Sequence, residues 1–213
     1  MDIISNFKKI KENVYNINKN VIVIAVSKTF SLDQVQPLIN YGHLDYGENK
    51  VQEAKDKWSK IIIHNSKLRL HMIGKLQTNK VQDAVKLFNF IHSLDNEKLA
   101  FKLSIYEKQF SKKLKYFIQV NFDNDQRKSG ILPNRIGQFI NYCKLDCNLN
   151  IIGFMCIPPL GSNPNDFFLK LKNLANEYNL TELSMGMSAD YKNAIQLGST
   201  FIRIGSSIFG SRN

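Results

Sequence analysis

Short runs of apolar, often β-branched residues alternate along this chain with segments whose apolar positions recur every three or four residues. The first run, VIVIAV at 21–26, has the length and composition of a strand covered on both faces, as in a parallel sheet. A helix follows over 31–41, with Leu32, Val35, Leu38 and Ile39 on one face and Ser31 placed as its N-cap. The pattern then repeats. A brief strand near 44–46 leads through GEN into a helix passing Trp58 and Ile62; LRLHMIG reads as strand, 77–87 as helix, FNFIHSL as strand and 96–110 as helix. LKYFIQVNF reads as a long apolar strand, 132–143 as helix, IIGFMCI as strand and 166–178 as helix. ELSMGM, a helix over 189–197, the strand TFIRIG and a short turn, SSIFG, complete the series. Ahead of them, Ile3, Ile4, Phe7, Ile10, Val14 and Ile17 have the spacing of an amphipathic helix over about 3–17.

Strict alternation implies parallel strands joined by crossover helices. Eight such units predict a closed (β/α)8 TIM barrel, with a doubly wound open sheet as the alternative. No linker rich in Gly, Ser or Pro divides the chain, and the loop PPLGSNPND is only a short connection, so 1–213 reads as a single domain.

Composition supports a globular chain with a full core: 43% of the 213 residues are hydrophobic and 22% charged. No segment approaches the length of a membrane span, and the N-terminal helix lacks the continuous apolar core of a signal peptide, so a cytoplasmic protein is expected. Cys143, Cys147 and Cys156 are odd in number and lack paired ligand spacing, which points to a reducing compartment and away from a disulfide framework or a metal site. The net charge of +11 raises the question of nucleic acid. Its densest clusters, Lys8, Lys9 and Lys11, then Lys112, Lys113 and Lys115, carry no interleaved aromatic stacking set, so no specific nucleic-acid partner is expected.

In a barrel the C-terminal strand ends converge on one mouth, where the loops carry the chemistry. The residues so placed are Ser27 and Lys28 after strand one and Gly47, Glu48 and Asn49 after strand two. His71, Ile73 and Gly74 follow on strand three, Asn121 on strand five, then Lys128 and Gly130 in the next loop, and Pro158 and Pro159 after strand six. Strand seven adds Ser184, Gly186 and Ser188; strand eight adds Arg203, Gly205, Ser206 and Ser207. Lys28 is a candidate for carbonyl capture, set against the plainer possibility of an ordinary strand-end lysine. RIGSSIFG suits a phosphate: Gly205 admits the anion, the amides of Gly205 and Ser206 donate to it, and a short helix from Ser206 turns its positive end inward. Ser188 adds a hydroxyl. The alternatives are a terminal turn and a helix cap. An amine and a phosphate site across one mouth suit a phosphorylated aldehyde such as pyridoxal phosphate.

The motifs AVSKT, YGEN, HMIGKLQTNK, KSG, MCIPP, LSMGMSAD and RIGSSIFG, in that order and over nearly the whole chain, resemble those of the YggS/PROSC family, the pyridoxal phosphate homeostasis proteins. The resemblance implies a single barrel like the N-terminal domain of alanine racemase, the fold type III arrangement, with pyridoxal 5'-phosphate held as a Schiff base on Lys28. It implies Arg203 at the pyridine nitrogen, Ser188 with the Gly205 and Ser206 amides at the phosphate, Asn49 beside the ring, His71 on the floor and Lys128 near the mouth as a second amine. Tyr46 and Met72 stand where phenylalanine is common, and Cys156 where alanine is usual; all three positions tolerate apolar side chains.

An arginine at the ring nitrogen disfavours the ring proton that makes the cofactor a strong electron sink. The resemblance therefore implies a monomeric carrier that binds, buffers and delivers the cofactor, with apo-forms of pyridoxal phosphate enzymes as recipients. The rival is an amino-acid racemase or lyase using Tyr46, Tyr191 or Lys128 as proton donor.

Overall fold

The computed structural model describes residues 2–123 and 129–210. Eight parallel strands close into a barrel in chain order: β1 (Ile22–Val26), β2 (Asp45–Glu48), β3 (Arg69–Met72), β4 (Phe90–Leu94), β5 (Lys115–Gln119), β6 (Asn150–Met155), β7 (Glu182–Met187) and β8 (Phe201–Ile204). β1 pairs with both β2 and β8, which shuts the sheet; Ile24 faces Arg203 across that seam. The open-sheet alternative is thereby overturned. Closure cannot be read from the strands themselves, because a strand buried on both faces looks alike in either architecture.

Helices α1 (Ile3–Ile17), α2 (Leu32–Asn40), α3 (Val51–His64), α4 (Val81–Leu87), α5 (Glu97–Gln109), α6 (Ile136–Asn141), α7 (Pro164–Glu177), α8 (Tyr191–Gln196) and the single turn α9 (Ser206–Phe209) complete the fold. Ser31 caps α2 as expected and adds a full capping box with Gln34, which satisfies two backbone amides at once. The helix expected over 132–143 is broken into three: a 3-10 turn at Pro133–Arg135, α6, and a wider π turn at Tyr142–Asp146. Pro133 has no amide to donate, which suits it to the first turn.

Period-2 alternation sorts the side chains into two cores. Ile24, Phe90, Phe117, Met155 and Phe201 fill the barrel interior. The larger core lies between the strands and the surrounding helices and includes Tyr46, Trp58, Leu70, Met72 and Phe154. Tyr46 and Met72 thus point outward, away from the mouth. Each fully buried aromatic or branched side chain contributes roughly 1.5–3 kcal/mol of transfer free energy.

Candidate functional site

Lys28 lies two residues beyond the end of β1 and continues the inward set of Ile24 and Val26; it is half-buried. Its neighbour Ser27 is fully buried and turns the other way. The Ser27 hydroxyl donates to Glu48 Oε1 at 2.8 Å, and the same oxygen accepts from Lys57 Nζ at 2.9 Å and Trp58 Nε1 at 2.9 Å. Lys57 Nζ also donates to the Ser27 carbonyl at 2.7 Å, and Glu53 Oε1 accepts the Thr29 amide. Both peptides flanking Lys28 are therefore tied to α3. Thr29 itself sits at φ 69°, a left-handed conformation costly for a β-branched residue. This cluster corrects the expected layout: Ser27 and Glu48 stand behind the sheet, because each strand end sends alternate residues to opposite faces.

Across the mouth, Arg203 on β8 points inward and is only 5% exposed. Its Nη1 donates to the Ser184 carbonyl at 2.8 Å and the Ser184 hydroxyl oxygen at 2.7 Å, and its Nη2 donates to the Cys156 carbonyl at 3.0 Å. A guanidinium carries five N–H donors, so two have no partner among the described residues. Among the described residues no carboxylate forms an ion pair with it. Burial lowers its pKa from the usual arginine value, as expected for a cation taken out of water without a direct counter-charge. The Cys156 thiol is pushed up to about 12 by burial, against the pull of Arg203, and stays a neutral wall residue.

Gly205 and Ser206 follow Ile204, the last residue of β8. Ile208 and Phe209 both donate to the Gly205 carbonyl, which starts the single turn α9 and leaves the amides before them without a carbonyl one turn back. Gly205 is half-buried with Val26 beside it; a Cβ there would sit 3.4 Å from the Val26 carbonyl oxygen. Ser188 projects from a turn clasped at both ends, since Met187 N–H donates to the Asp190 carboxylate at 2.6 Å and Asp190 N–H returns to the Met187 carbonyl at 3.1 Å. Gly186 makes room for this turn: it has φ 91°, and a Cβ would lie 2.5 Å from that of Ala194. Asn49 is half-buried on the other side, its backbone pressed against Gly74, where a Cβ would fall 2.3 Å from the Asn49 carbonyl oxygen.

His71 is fully buried beneath the mouth and stacked on Phe90 at 4.3 Å. Both ring nitrogens are engaged, Nε2 by Asp45 and Nδ1 by His92, each at 3.0 Å. His92, also fully buried, is a residue the sequence reading missed; FIHSL reads as a buried strand whatever its histidine does. Lys128 lies outside the described residues. The tyrosines named as proton donors are not in the mouth. Tyr46 packs on Trp58 at 4.7 Å behind β2, and burial drives its pKa far up; the Tyr191 hydroxyl accepts from Asn13 of α1 at 3.3 Å. Two cavities flank the opening: about 430 Å³ beside Asn49, Gly74 and Lys80, and about 550 Å³ between Asn121, Cys156 and Pro158.

The closed parallel barrel that carries these groups falls in the class of alanine racemase's N-terminal domain. The family model described as "Alanine racemase, N-terminal domain" matches residues 2–213. Alanine racemase of Clostridium difficile shares the fold with a TM-score of 0.73 at 14% identity; the match covers 99% of this chain and 57% of that one.

Within that class the chain belongs to the pyridoxal phosphate homeostasis proteins. It is 36% identical over 210 residues to the protein of that name from Synechocystis sp., covering 94% of this chain and 96% of the relative. The human protein of that name is 36% identical over 211 residues, covering 90% of this chain and 76% of the relative. PipY of Synechococcus elongatus, solved with pyridoxal phosphate bound, has a TM-score of 0.84 at 32% identity over 94% of this chain and all of that one.

Proposed function

We propose that this protein binds pyridoxal 5'-phosphate covalently through Lys28 and serves to hold and deliver it, with no turnover of its own. The observation that carries this reading is the buried Arg203 guanidinium, fixed by three hydrogen bonds and with two donors unused among the described residues, at the same mouth as a half-buried lysine. A guanidinium can only donate, so the atom it faces must be an unprotonated acceptor, as a pyridine nitrogen is. The other residues fit the same group. Ser188 and the Gly205 and Ser206 amides would hold the phosphate, Asn49 would lie beside the ring, and His71 supports the floor from below.

When bound, pyridoxal phosphate supplies an aldehyde that condenses with an amine and a ring that withdraws electrons. Lys28 would supply the amine that takes the aldehyde, and the clamp on Ser27 and Thr29 holds the lysine's backbone still. Arg203, which can only donate, would hold the ring nitrogen without its proton, and carbanion chemistry would be weakened. With Tyr46 and Tyr191 turned outward, neither supplies a proton at the mouth. Capture without turnover suits a carrier that keeps a reactive aldehyde sequestered in the cytoplasm and yields it to apo-forms of pyridoxal phosphate enzymes; the protein acts as a monomer in this reading. No helix among the described residues is long and apolar enough to cross a membrane.

Visible absorption of the purified protein with added pyridoxal phosphate tests this directly. The parent should show a band that borohydride bleaches, and Lys28→Ala should show none. A band of equal strength in Lys28→Ala would move the covalent site elsewhere, and no band in the parent would refute the cofactor assignment. Racemisation of an amino acid by the loaded parent, lost in Lys28→Ala, would establish the enzyme instead of the carrier.

A further inference from the structure

Beneath the mouth a line of polar groups crosses the barrel interior, where apolar side chains would otherwise pack. Arg69, at the N-terminal end of β3, donates to Asp45 through Nε at 2.7 Å and through Nη2. Asp45 Oδ1 lies 3.0 Å from His71 Nε2; His71 Nδ1 lies 3.0 Å from His92 Nε2; His92 Nδ1 lies 2.8 Å from the Ser184 hydroxyl, which lies 2.7 Å from Arg203 Nη1. His71, His92 and Ser184 are each wholly shielded from solvent.

The protons in this line can be placed one after another. Asp45 is held at about 2: burial pushes it up, but the hydrogen bonds from His71 and Arg69 outweigh that, so it is a carboxylate and accepts. His71 must donate to it through Nε2. Burial lowers the pKa of both histidines, which leaves one proton on each ring. His71 Nδ1 is then bare and accepts from His92 Nε2–H. His92 Nδ1 in turn accepts the Ser184 hydroxyl proton, and the Ser184 oxygen is left with only lone pairs facing Arg203. Every bond runs the same way, from guanidinium to carboxylate.

We infer that Asp45, His71, His92 and Ser184 are positioning residues that fix the Arg203 guanidinium through this one-way chain of hydrogen bonds. The decisive link is His92. A serine hydroxyl rotates freely, and one turned toward Arg203 would set a donor against a donor. His92 captures that hydrogen and so commits the lone pairs to Arg203. Neither end can act as a proton source or sink near neutrality, because one is a guanidinium and the other a carboxylate already paired with Arg69. The chain is a strut, not a relay. This inference rests on Arg203 facing the ring nitrogen of pyridoxal phosphate.

The test uses the full chain with His92→Phe, which keeps the ring stacked on Phe117 at 4.4 Å but makes no hydrogen bond; His92→Gln, which retains one donor and one acceptor; and Ser184→Ala. In cofactor-free parent at pH 7, long-range ¹H–¹⁵N NMR should show both histidines neutral with the proton on Nε2. Titration with pyridoxal phosphate should show binding weakened about 10-fold by His92→Phe and by Ser184→Ala, the scale of one unmet buried hydrogen bond, and restored to within about threefold by His92→Gln. With ¹⁵N-labelled cofactor, the ring-nitrogen signal should move in His92→Phe and return in His92→Gln. A protonated His71 or His92 in the parent would overturn the assigned direction. Parent-like affinity and ring-nitrogen signal in folded His92→Phe or Ser184→Ala would overturn the positioning role. No borohydride-sensitive band in the parent would instead refute the cofactor reading and, with it, the purpose assigned to the chain.

Discussion

The two ends of the mouth are held by two polar networks built on opposite principles, and β2 serves both. Asp45, at its start, points into the barrel and anchors the neutral imidazole chain that reaches Arg203. Glu48, at its end, points out to α3 and anchors an ionic cluster with Lys57 and Glu53 that clamps the peptides around Lys28. The odd spacing between the two acids sends them to opposite faces. Inside, where His71, His92 and Ser184 are shielded from solvent, extra charge would be costly, so directional bonds between neutral rings do the holding. Behind the sheet, Glu53 remains 29% exposed, and a charged cluster there keeps contact with solvent. The inner network must fix a side chain that never changes its charge. The outer one must fix only a backbone, because the Lys28 amine has to move and react.

Removing Glu48 is the largest way to break this contrast. Glu48→Ala would leave Lys57, whose side chain is only 7% exposed, with the longer 3.5 Å contact to Glu53 as its ion pair among the described residues, and would strip the Ser27 hydroxyl and Trp58 indole of their acceptor. Breaking one partner of a buried pair typically costs about 3–5 kcal/mol. Thermal unfolding should shift down by about 10 °C, and Glu48→Gln, which keeps an acceptor oxygen, should recover part of it. A shift under about 2 °C for Glu48→Ala would show that Glu53 alone holds Lys57 and that Glu48 does not anchor the clamp.

Acid separates the networks next. Burial lowers His43 from 6.5 to about 4, and it lowers His71 and His92 as well. Between pH 6.5 and 4 the unfolded chain therefore binds protons that the folded chain refuses, and stability falls as pH falls. His43 alone would account for about 3 kcal/mol over that window. Asp45, depressed from 3.8 to about 2, adds stability that is present above pH 3.8 and is lost only as pH falls toward 2. Urea midpoints measured from pH 7 to 4 should drop steadily in the parent and less steeply in His92→Gln. Equal slopes would place the acid sensitivity outside the interior chain.

The barrel and the strand ends were legible because continuous β-branched runs and 3.6-residue spacing are local signals. Lys28, Ser188, Arg203, Gly205 and Ser206 all fall beyond or near the ends of strands that the pattern marks. Closure was legible only from the count of eight units and not from any one strand, since it depends on β1 meeting β8, a pairing 179 residues apart at Ile22 and Phe201 that leaves no local trace. Ser27 and Glu48 were misplaced for a different reason: nearness to a strand end was read without its parity, and one step along a strand reverses the face. His92 and Ser184 needed tertiary contact to acquire a role, being 92 residues apart in sequence.

Thr29→Gly gives the smallest and sharpest test of the outer clamp. At φ 69° a threonine pays roughly 1–2 kcal/mol that glycine does not, while glycine gives back roughly 0.5–1 kcal/mol through its freer unfolded chain. Global stability should therefore move by about 1 kcal/mol or less, toward greater stability. The function of the strain would appear elsewhere. If Thr29 serves to limit the backbone beside Lys28, glycine restores freedom worth about 0.5–1 kcal/mol at that point, and release of pyridoxal phosphate should speed up about twofold to fivefold. Arg203 and the imidazole chain are untouched by the change, so the ring-nitrogen signal should stay where it is in the parent. Faster release with an unmoved ring signal would show that the two networks act independently; a moved ring signal would mean that the clamp on the lysine also sets the arginine.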